Sequence, residues 1–572
     1  MKRLLGLTVF VGVVIAALFR LRRLLLALII RLRPPRTKVQ ITRGVRIPMR
    51  DGVTLAADHY APQSSTPLPA ILIRSPYGRG AGSSGFGLLM AFIAHVFAER
   101  GYHVIVQDVR GRFDSGGKFI PYFNEQRDGL DTLAWLEQQP WYNGAAGTWG
   151  ASYLGIVQWA LAAHAPQLKA IVPIVTSSNL HSVLYPDETF DLGLALRWLA
   201  LFQALDRTRD YWPVATPFMF PLVERQIAPG FRDLPVAQAD QLALGKPVAY
   251  YREWLMHPSA DDPLWQHVTA EIDREHIAPP AHLFGGWYDF FLRPMLDDYA
   301  GLKAAGKQPY LTIGPYHHFD GMLPIHGIRA ALDWFDVHLK GETHKLRAKP
   351  VRLYVMGANE WRDFDEWPPE AQETPFFLAS EGRLLPVPSD DAYAVSRYTY
   401  DPADPTPALG GTQFSPLAGS KDNRRLEARA DVLTFTGDVL PYDLEVIGAL
   451  RLRLYVASSV EHTDFFARLC DVHPDGRSMN ICDGLLRVAP GVGCEQPDGS
   501  RCIEIDMWAT AQRFKAGHRL RLQVSSAAHP RWTRHTNTAE PLASAAQTRP
   551  ATQTVYHDQR HPSALLLPVT AG

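Results

Sequence analysis

Three separated stretches of this chain carry a serine, an aspartate and a histidine where acyl-transfer chemistry would need them. Gly147-Thr148-Trp149-Gly150-Ala151-Ser152-Tyr153-Leu154-Gly155 reads as a strand that passes through small residues into a helix. A serine on such a bend holds its hydroxyl clear of the sheet. The peptide N–H of Tyr153 opens the helix and faces the space where an oxyanion would form. The pattern departs from Gly-x-Ser-x-Gly, because Leu154 follows two residues after the serine and glycine comes one later, at Gly155. Glycine-serine turns also open ordinary helices, so this stretch alone decides nothing.

Two later stretches decide it. Phe284-Gly285-Gly286-Trp287-Tyr288-Asp289 ends an apolar strand in a carboxylate, and Ile313-Gly314-Pro315-Tyr316-His317-His318 ends the next in histidine. Serine, aspartate, histidine, each just beyond a strand's carboxyl end, is the chain order of α/β-hydrolase triads. Ser152 needs a base, His318, and that base needs a carboxylate, Asp289, to fix its tautomer and stabilise imidazolium. His317 competes for the base role. Asp297 and Asp298, the alternatives to Asp289, lie a helical stretch downstream, where a solvated face is expected.

These residues require a sheet to hold them. Short apolar runs (Ala70–Ile73, Val104–Val106, Gly147–Trp149, Ala170–Val175, His282–Phe284, Tyr310–Ile313) suit buried parallel strands. Leu88–Arg100 and Asp128–Gln138 carry helical spacing between them. Strand alternating with helix predicts a doubly wound α/β sheet, over 39–176 and 279–345. A hairpin turning at Asp51-Gly52 precedes it. The aromatic, proline-punctuated insertion 177–278 reads as a helical cap, with Phe190–Leu205 its clearest helix. After Lys340 helical patterns nearly vanish, and 346–572 reads as an all-β sandwich.

Several motifs together resemble the cocaine esterase and X-prolyl dipeptidyl peptidase family: Arg74-Ser75-Pro76-Tyr77, Gln107-Asp108-Val109-Arg110-Gly111-Arg112, the serine, aspartate and histidine stretches, Val355-Met356-Gly357 and Asp471-Val472-His473-Pro474-Asp475-Gly476. The likeness runs from about Val39 to the C-terminus. It implies an α/β-hydrolase domain, a helical cap and a C-terminal jelly roll. It places the base on the last histidine of Gly-Pro-x-x-His, which is His318. It also makes Tyr77 an oxyanion-hole donor beside the Tyr153 N–H; from sequence position alone Tyr77 would pass for a core tyrosine. Asp108 and Arg110 read as a structural ion pair.

The resemblance spans esterases, X-Pro dipeptidyl peptidases and α-amino acid ester hydrolases. The last group places an acidic pair two and three residues after the triad aspartate, where this chain has Phe291 and Leu292. A dipeptidyl peptidase needs a carboxylate for a buried ammonium; Asp187, Glu188 and Asp191 are the cap candidates, although a solvated helix surface explains them too. Trp198, Tyr211, Trp212, Phe218 and Phe220 in the cap, with Trp287 and Tyr316 beside the triad, suit a bulky apolar group. Ester hydrolysis is therefore expected, with X-Pro dipeptidyl-peptidase activity as the alternative. A membrane-tethered carbohydrate-binding protein with an inactive hydrolase domain is the reading from another class. The expected substrate is a small ester, amide or short peptide, and neither metal nor organic cofactor is implied.

Composition narrows the field further. At 572 residues, more than one domain is expected. Lys plus Arg equals Asp plus Glu, 58 each, which argues against nucleic acid as a partner. All four cysteines fall between Cys470 and Cys502 without a Cys-x-x-Cys spacing, so a thiol enzyme or zinc site is not expected. A three-residue hairpin at Pro497-Asp498-Gly499 would set Cys494 opposite Cys502. Residues 1–38 differ from the rest: Lys2 and Arg3, an uncharged run Leu4–Phe19, then Arg20, Arg22, Arg23, Leu24–Ile30 and more arginines. This reads as an uncleaved membrane-anchor-like segment within residues 1–33, the remainder of the chain being cytoplasmic.

Overall fold

The computed structural model describes residues 27–80, 82–208, 220–266 and 276–570. A ten-stranded sheet runs β1-β2-β4-β3-β5-β6-β7-β8-β9-β10. Its strands are β1 (Val39–Pro48), β2 (Thr54–Pro62), β3 (Leu68–Ser75), β4 (His103–Asp108), β5 (Tyr142–Ala151), β6 (Leu168–Ile174), β7 (His282–Gly286), β8 (Tyr310–Gly314), β9 (Val351–Val355) and β10 (Glu360–Phe364). From β4 to β9 every neighbouring pair is parallel, and antiparallel hairpins close both ends. The first hairpin turns where the sequence places it, with Gly52 at φ +83°. The helices that flank the site are α1 (Gly85–Ala98), α2 (Glu125–Glu137), α3 (Tyr153–Ala162), then α7 (Leu292–Ala304) and α8 (Leu323–Lys340), the last two following the cap.

Strands β3 to β8 are nearly all buried, as two-sided coverage by helices demands. Between β6 and β7 the described residues form helices and no strands. The longest are α4 (Leu192–Thr208), α5 (Phe220–Arg232) and α6 (Ala249–Met256). Tyr211, Trp212 and Phe218 lie outside the described residues.

The β-rich part holds β11 (Leu444–Ser458), β12 (Thr463–Val472), β13 (Ser478–Val488), β14 (Cys494–Glu495), β15 (Arg501–Phe514) and β16 (Arg519–Ser525), within a second, twelve-stranded sheet system. One boundary moves. β9 and β10 extend the first sheet beyond residue 345, because β9 pairs parallel with β8. A short alternating strand reads the same whichever sheet takes it, so periodicity could not assign these two.

The Pro497–Gly499 hairpin forms with Gly499 at φ +84°, and Cys494 faces Cys502 across it as free thiols. Residues 1–26 lie outside the described residues; among the described ones no helix is long and apolar enough to cross a membrane.

Candidate active site

Ser152 sits between β5 and α3 with φ 58° and ψ −126°, a conformation that non-glycine residues rarely adopt. Its own N–H donates to Ile174 O at 2.9 Å, and its carbonyl accepts from Thr176 Oγ1 at 2.9 Å. The unusual glycine spacing has a steric cause. A Cβ on Gly150 would meet Leu154 Cβ at 2.3 Å, and one on Gly155 would meet Thr176 Cγ2 at 2.2 Å. Here the close approach falls three residues after the serine, and Leu154 is free to line the cavity instead.

Tyr153 begins α3, so its N–H has no intrahelical partner. Its ring is locked from below: its hydroxyl donates to Glu125 Oε1 at 2.7 Å, and Glu125 pairs with buried Arg74 at 3.0 Å. Burial raises the Glu125 carboxyl. The Arg74-Ser75-Pro76-Tyr77 motif thus serves the elbow from two sides. Ser75 Oγ accepts the Tyr77 N–H at 3.1 Å, which bends the chain so that the Tyr77 ring lies over the serine. Burial pushes the Tyr77 phenol up to about 12, and hydrogen bonds with Trp198 and Ser152 act in the opposite direction.

Asp289 and His318 meet. His318 Nδ1 lies 2.8 Å from Asp289 Oδ2, while Asp289 Oδ1 accepts the Phe291 N–H at 2.9 Å. Asp289 is buried at 1% exposure, and the His318 side chain is 8% exposed. Because Nδ1 is taken, Nε2 is the nitrogen left for chemistry. Four phenylalanines, Phe290, Phe291, Phe319 and Phe414, surround the imidazole at ring distances of 4.6 to 5.9 Å. His317 turns the other way, into a different cavity. Asp298 caps Ser178 rather than lying solvated, accepting its backbone N–H at 2.8 Å.

Ser152 separates two lobes of empty space. One, of about 130 Å³, is lined by Tyr77, Phe86, Met90, Trp149, His318 and Phe414 among others. The second, of about 30 Å³, is lined by Tyr122, Leu184, Trp198, Trp254, Phe290 and Phe291 among others. Among the described residues, neither lining includes an aspartate, glutamate, lysine or arginine.

Several expectations need correction. Trp198 lines the second lobe, but Trp287 and Tyr316 line neither. Trp287 Nε1 donates to Tyr354 O at 2.8 Å, and Tyr316 stacks on Phe284 with its hydroxyl on His326. Both follow strand ends and are buried against these partners. Asp187 and Asp191 are buried, not solvated. Asp187 pairs with Arg293, and Asp191 Oδ1 caps α4 by accepting the Leu194 N–H at 2.7 Å. Asp108 and Arg110 do not pair. Arg79 takes Asp108, and Arg110 turns away at Gly111 to reach Asp51 at 2.7 Å and Asp128 at 3.0 Å.

Phe414 carries no sequence signal, since it lies in an irregular stretch of the β-rich part. Phe290 was within reach, being the residue after Asp289.

Comparison with known proteins agrees with this architecture. Residues 51–320 match the model of the X-Pro dipeptidyl-peptidase (S15 family), and residues 344–566 match the X-Pro dipeptidyl-peptidase C-terminal non-catalytic domain. The chain is 33% identical to the cocaine esterase of Rhodococcus sp. (strain MB1 Bresler), over 92% of this chain and 98% of that protein. Among solved structures, it is similar to an α-amino acid ester hydrolase (TM-score 0.78, 22% identity, 93% of this chain and 97% of that one). It is also similar to an aminopeptidase from the marine sediment archaeon Thaumarchaeota archaeon (TM-score 0.77, 23% identity, 94% and 96%). The chain belongs to the cocaine esterase and X-Pro dipeptidyl-peptidase family and is a serine hydrolase of the α/β-hydrolase fold.

Proposed function

We propose that this enzyme hydrolyses carboxylic esters whose acyl and alcohol parts are both uncharged and apolar. Ser152 Oγ attacks the ester carbonyl as His318 Nε2 takes its proton, and Asp289 stabilises the imidazolium. The Tyr77 hydroxyl and the Tyr153 N–H receive the oxyanion. The imidazolium then returns its proton to the departing alcohol oxygen. Water, deprotonated by the same histidine, attacks the acyl-enzyme and releases the carboxylic acid and Ser152.

The observation that supports the ester reading is the charge-free lining of both lobes among the described residues. A dipeptidyl peptidase of this geometry would bury a substrate ammonium there, and an unpaired buried ammonium is costly. Asp187 and Asp191 are already engaged elsewhere. The test is a panel of p-nitrophenyl esters beside glycyl-prolyl-p-nitroanilide, preceded by fluorophosphonate labelling. Labelling of wild type and not of Ser152→Ala separates a hydrolase from an inert binding protein. Rapid release from the dipeptide anilide, with the esters untouched, overturns the ester reading.

The basic-apolar-basic pattern of residues 1–36 supports attachment to a membrane. Co-sedimentation of the full chain with anionic vesicles, lost on deleting residues 1–33, tests this.

A further inference from the structure

A cavity of about 630 Å³ lies between the hydrolase sheet and the β-rich part, distinct from the two lobes at Ser152. On its wall, Asp471 and His473 stand two residues apart at the end of β12. Arg519 of β16 pairs with Val472, so His518 comes alongside His473. His518 Nδ1 is 2.7 Å from Asp471 Oδ1. His473 Nε2 stops 3.8 Å from Asp471 Oδ2, too far for a hydrogen bond. The two imidazole centroids are 4.5 Å apart. Two histidines thus converge on one buried carboxylate, and only one of them is bonded to it.

We propose that Asp471, His473 and His518 bind a divalent transition-metal ion of the zinc class. One donor atom from each lies within 4.8 Å of the others. Donors around an ion with bonds of about 2.1 Å sit roughly 3–3.5 Å apart, so closure requires a movement of about 1 Å. His473, 29% exposed, is the partner with room to make it. Asp471 stands on β12, and His518 immediately precedes β16, where its hydrogen bond to Asp471 holds it.

Donor chemistry selects the ion. Two imidazoles and one carboxylate suit zinc and its neighbours, whereas magnesium and calcium prefer oxygen alone. The surrounding charges point the same way. His317, Lys421, Arg513 and Lys515 also line the cavity, and Arg513 is offset by Glu445 at 2.9 Å. With Lys515 beside Asp471 and Lys421 on the same cavity wall, binding has to come from donor covalency rather than from charge alone. The open cavity supplies water for the remaining coordination positions.

The test uses the full chain, stripped with chelator. Zinc is titrated by calorimetry, and cobalt is followed by its visible ligand-field absorption. One equivalent is expected to bind at micromolar concentration or tighter, and equally in His318→Ala, which removes the hydrolytic histidine as a competing ligand. His473→Ala and His518→Ala should each weaken binding by at least ~10-fold, within the range that loss of even a supporting residue causes. His473→Ala leaves the Asp471–His518 bond in place, and metal-free thermal unfolding reports whether it folds. Zinc should raise the melting temperature of wild type but not of His473→Ala. Undetectable zinc binding by wild type, or undiminished binding by His473→Ala, overturns the proposal.

Discussion

The indole Nε1 of Trp198, on cap helix α4, donates a hydrogen bond of 3.0 Å to the phenol oxygen of Tyr77 in the loop after β3. The indole has only a donor to offer, so it occupies a lone pair of the phenol and leaves the Tyr77 proton to point elsewhere, towards Ser152. Trp198→Phe keeps an aromatic ring and removes that donor. A neutral hydrogen bond is worth about 1 kcal/mol, so kcat for p-nitrophenyl esters should fall about fivefold. In a Tyr77→Phe background the same change should cost nothing further. Equal losses in both backgrounds would show that the indole only fills space.

Tyr77→Phe by itself should lower turnover by ~10²–10³-fold, the loss typical of one oxyanion donor. Unchanged turnover retires Tyr77 from the oxyanion site, whatever Trp198 does.

Burial holds the Tyr77 phenol protonated up to about pH 12. The neutral phenol is the donating form, so raising the pH from about 8 to 10 should not remove this donor. kcat measured across that range should show no downward limb that is present in wild type and absent in Tyr77→Phe. Such a limb would place the phenol's titration far lower than its burial implies.

Ser152→Ala and His318→Ala should each reduce turnover by ~10⁶-fold, with little added loss in the double variant, because the two act as one unit. Additive losses, measured by active-site-titrated kinetics, would mean that they do not.

The α/β sheet was legible because buried parallel strands alternating with helices are local patterns, and the proposed triad rests on motifs at their ends. Ser152 and Asp289–His318 sit where those strands end, so the sheet itself carries them to one rim. The direction of a side chain after the strand ends was not legible. Trp287 and Tyr316 follow the same strands as the triad yet point away, and Asp108 pairs with Arg79 rather than Arg110. Such choices depend on turns and on partners distant in sequence. Which sheet takes β9 and β10 was not legible either, since nothing in a strand's alternation names its neighbour.

His59 and His103 share a 2.9 Å hydrogen bond against Trp141, and burial pushes both down to about 4. An unfolded histidine titrates near 6.5. Between about pH 6.5 and 4 the unfolded chain therefore binds protons that the folded one refuses. The stability these residues contribute is whole above about pH 6.5 and is lost as the pH falls towards 4. Thermal unfolding from pH 7 to 5 should show a smaller decline in a His59→Gln/His103→Gln variant than in wild type. Identical slopes would rule the pair out as a source of acid sensitivity.

Phe414 belongs to the β-rich part, yet it packs on His318 and lines both lobes beside Ser152. Under the proposed mechanism the two halves of the chain act together. A truncated protein ending after α8 would expose the imidazole to bulk water and open both lobes to solvent. The distal half is thus a wall of the proposed reaction chamber, as the cap is through Trp198.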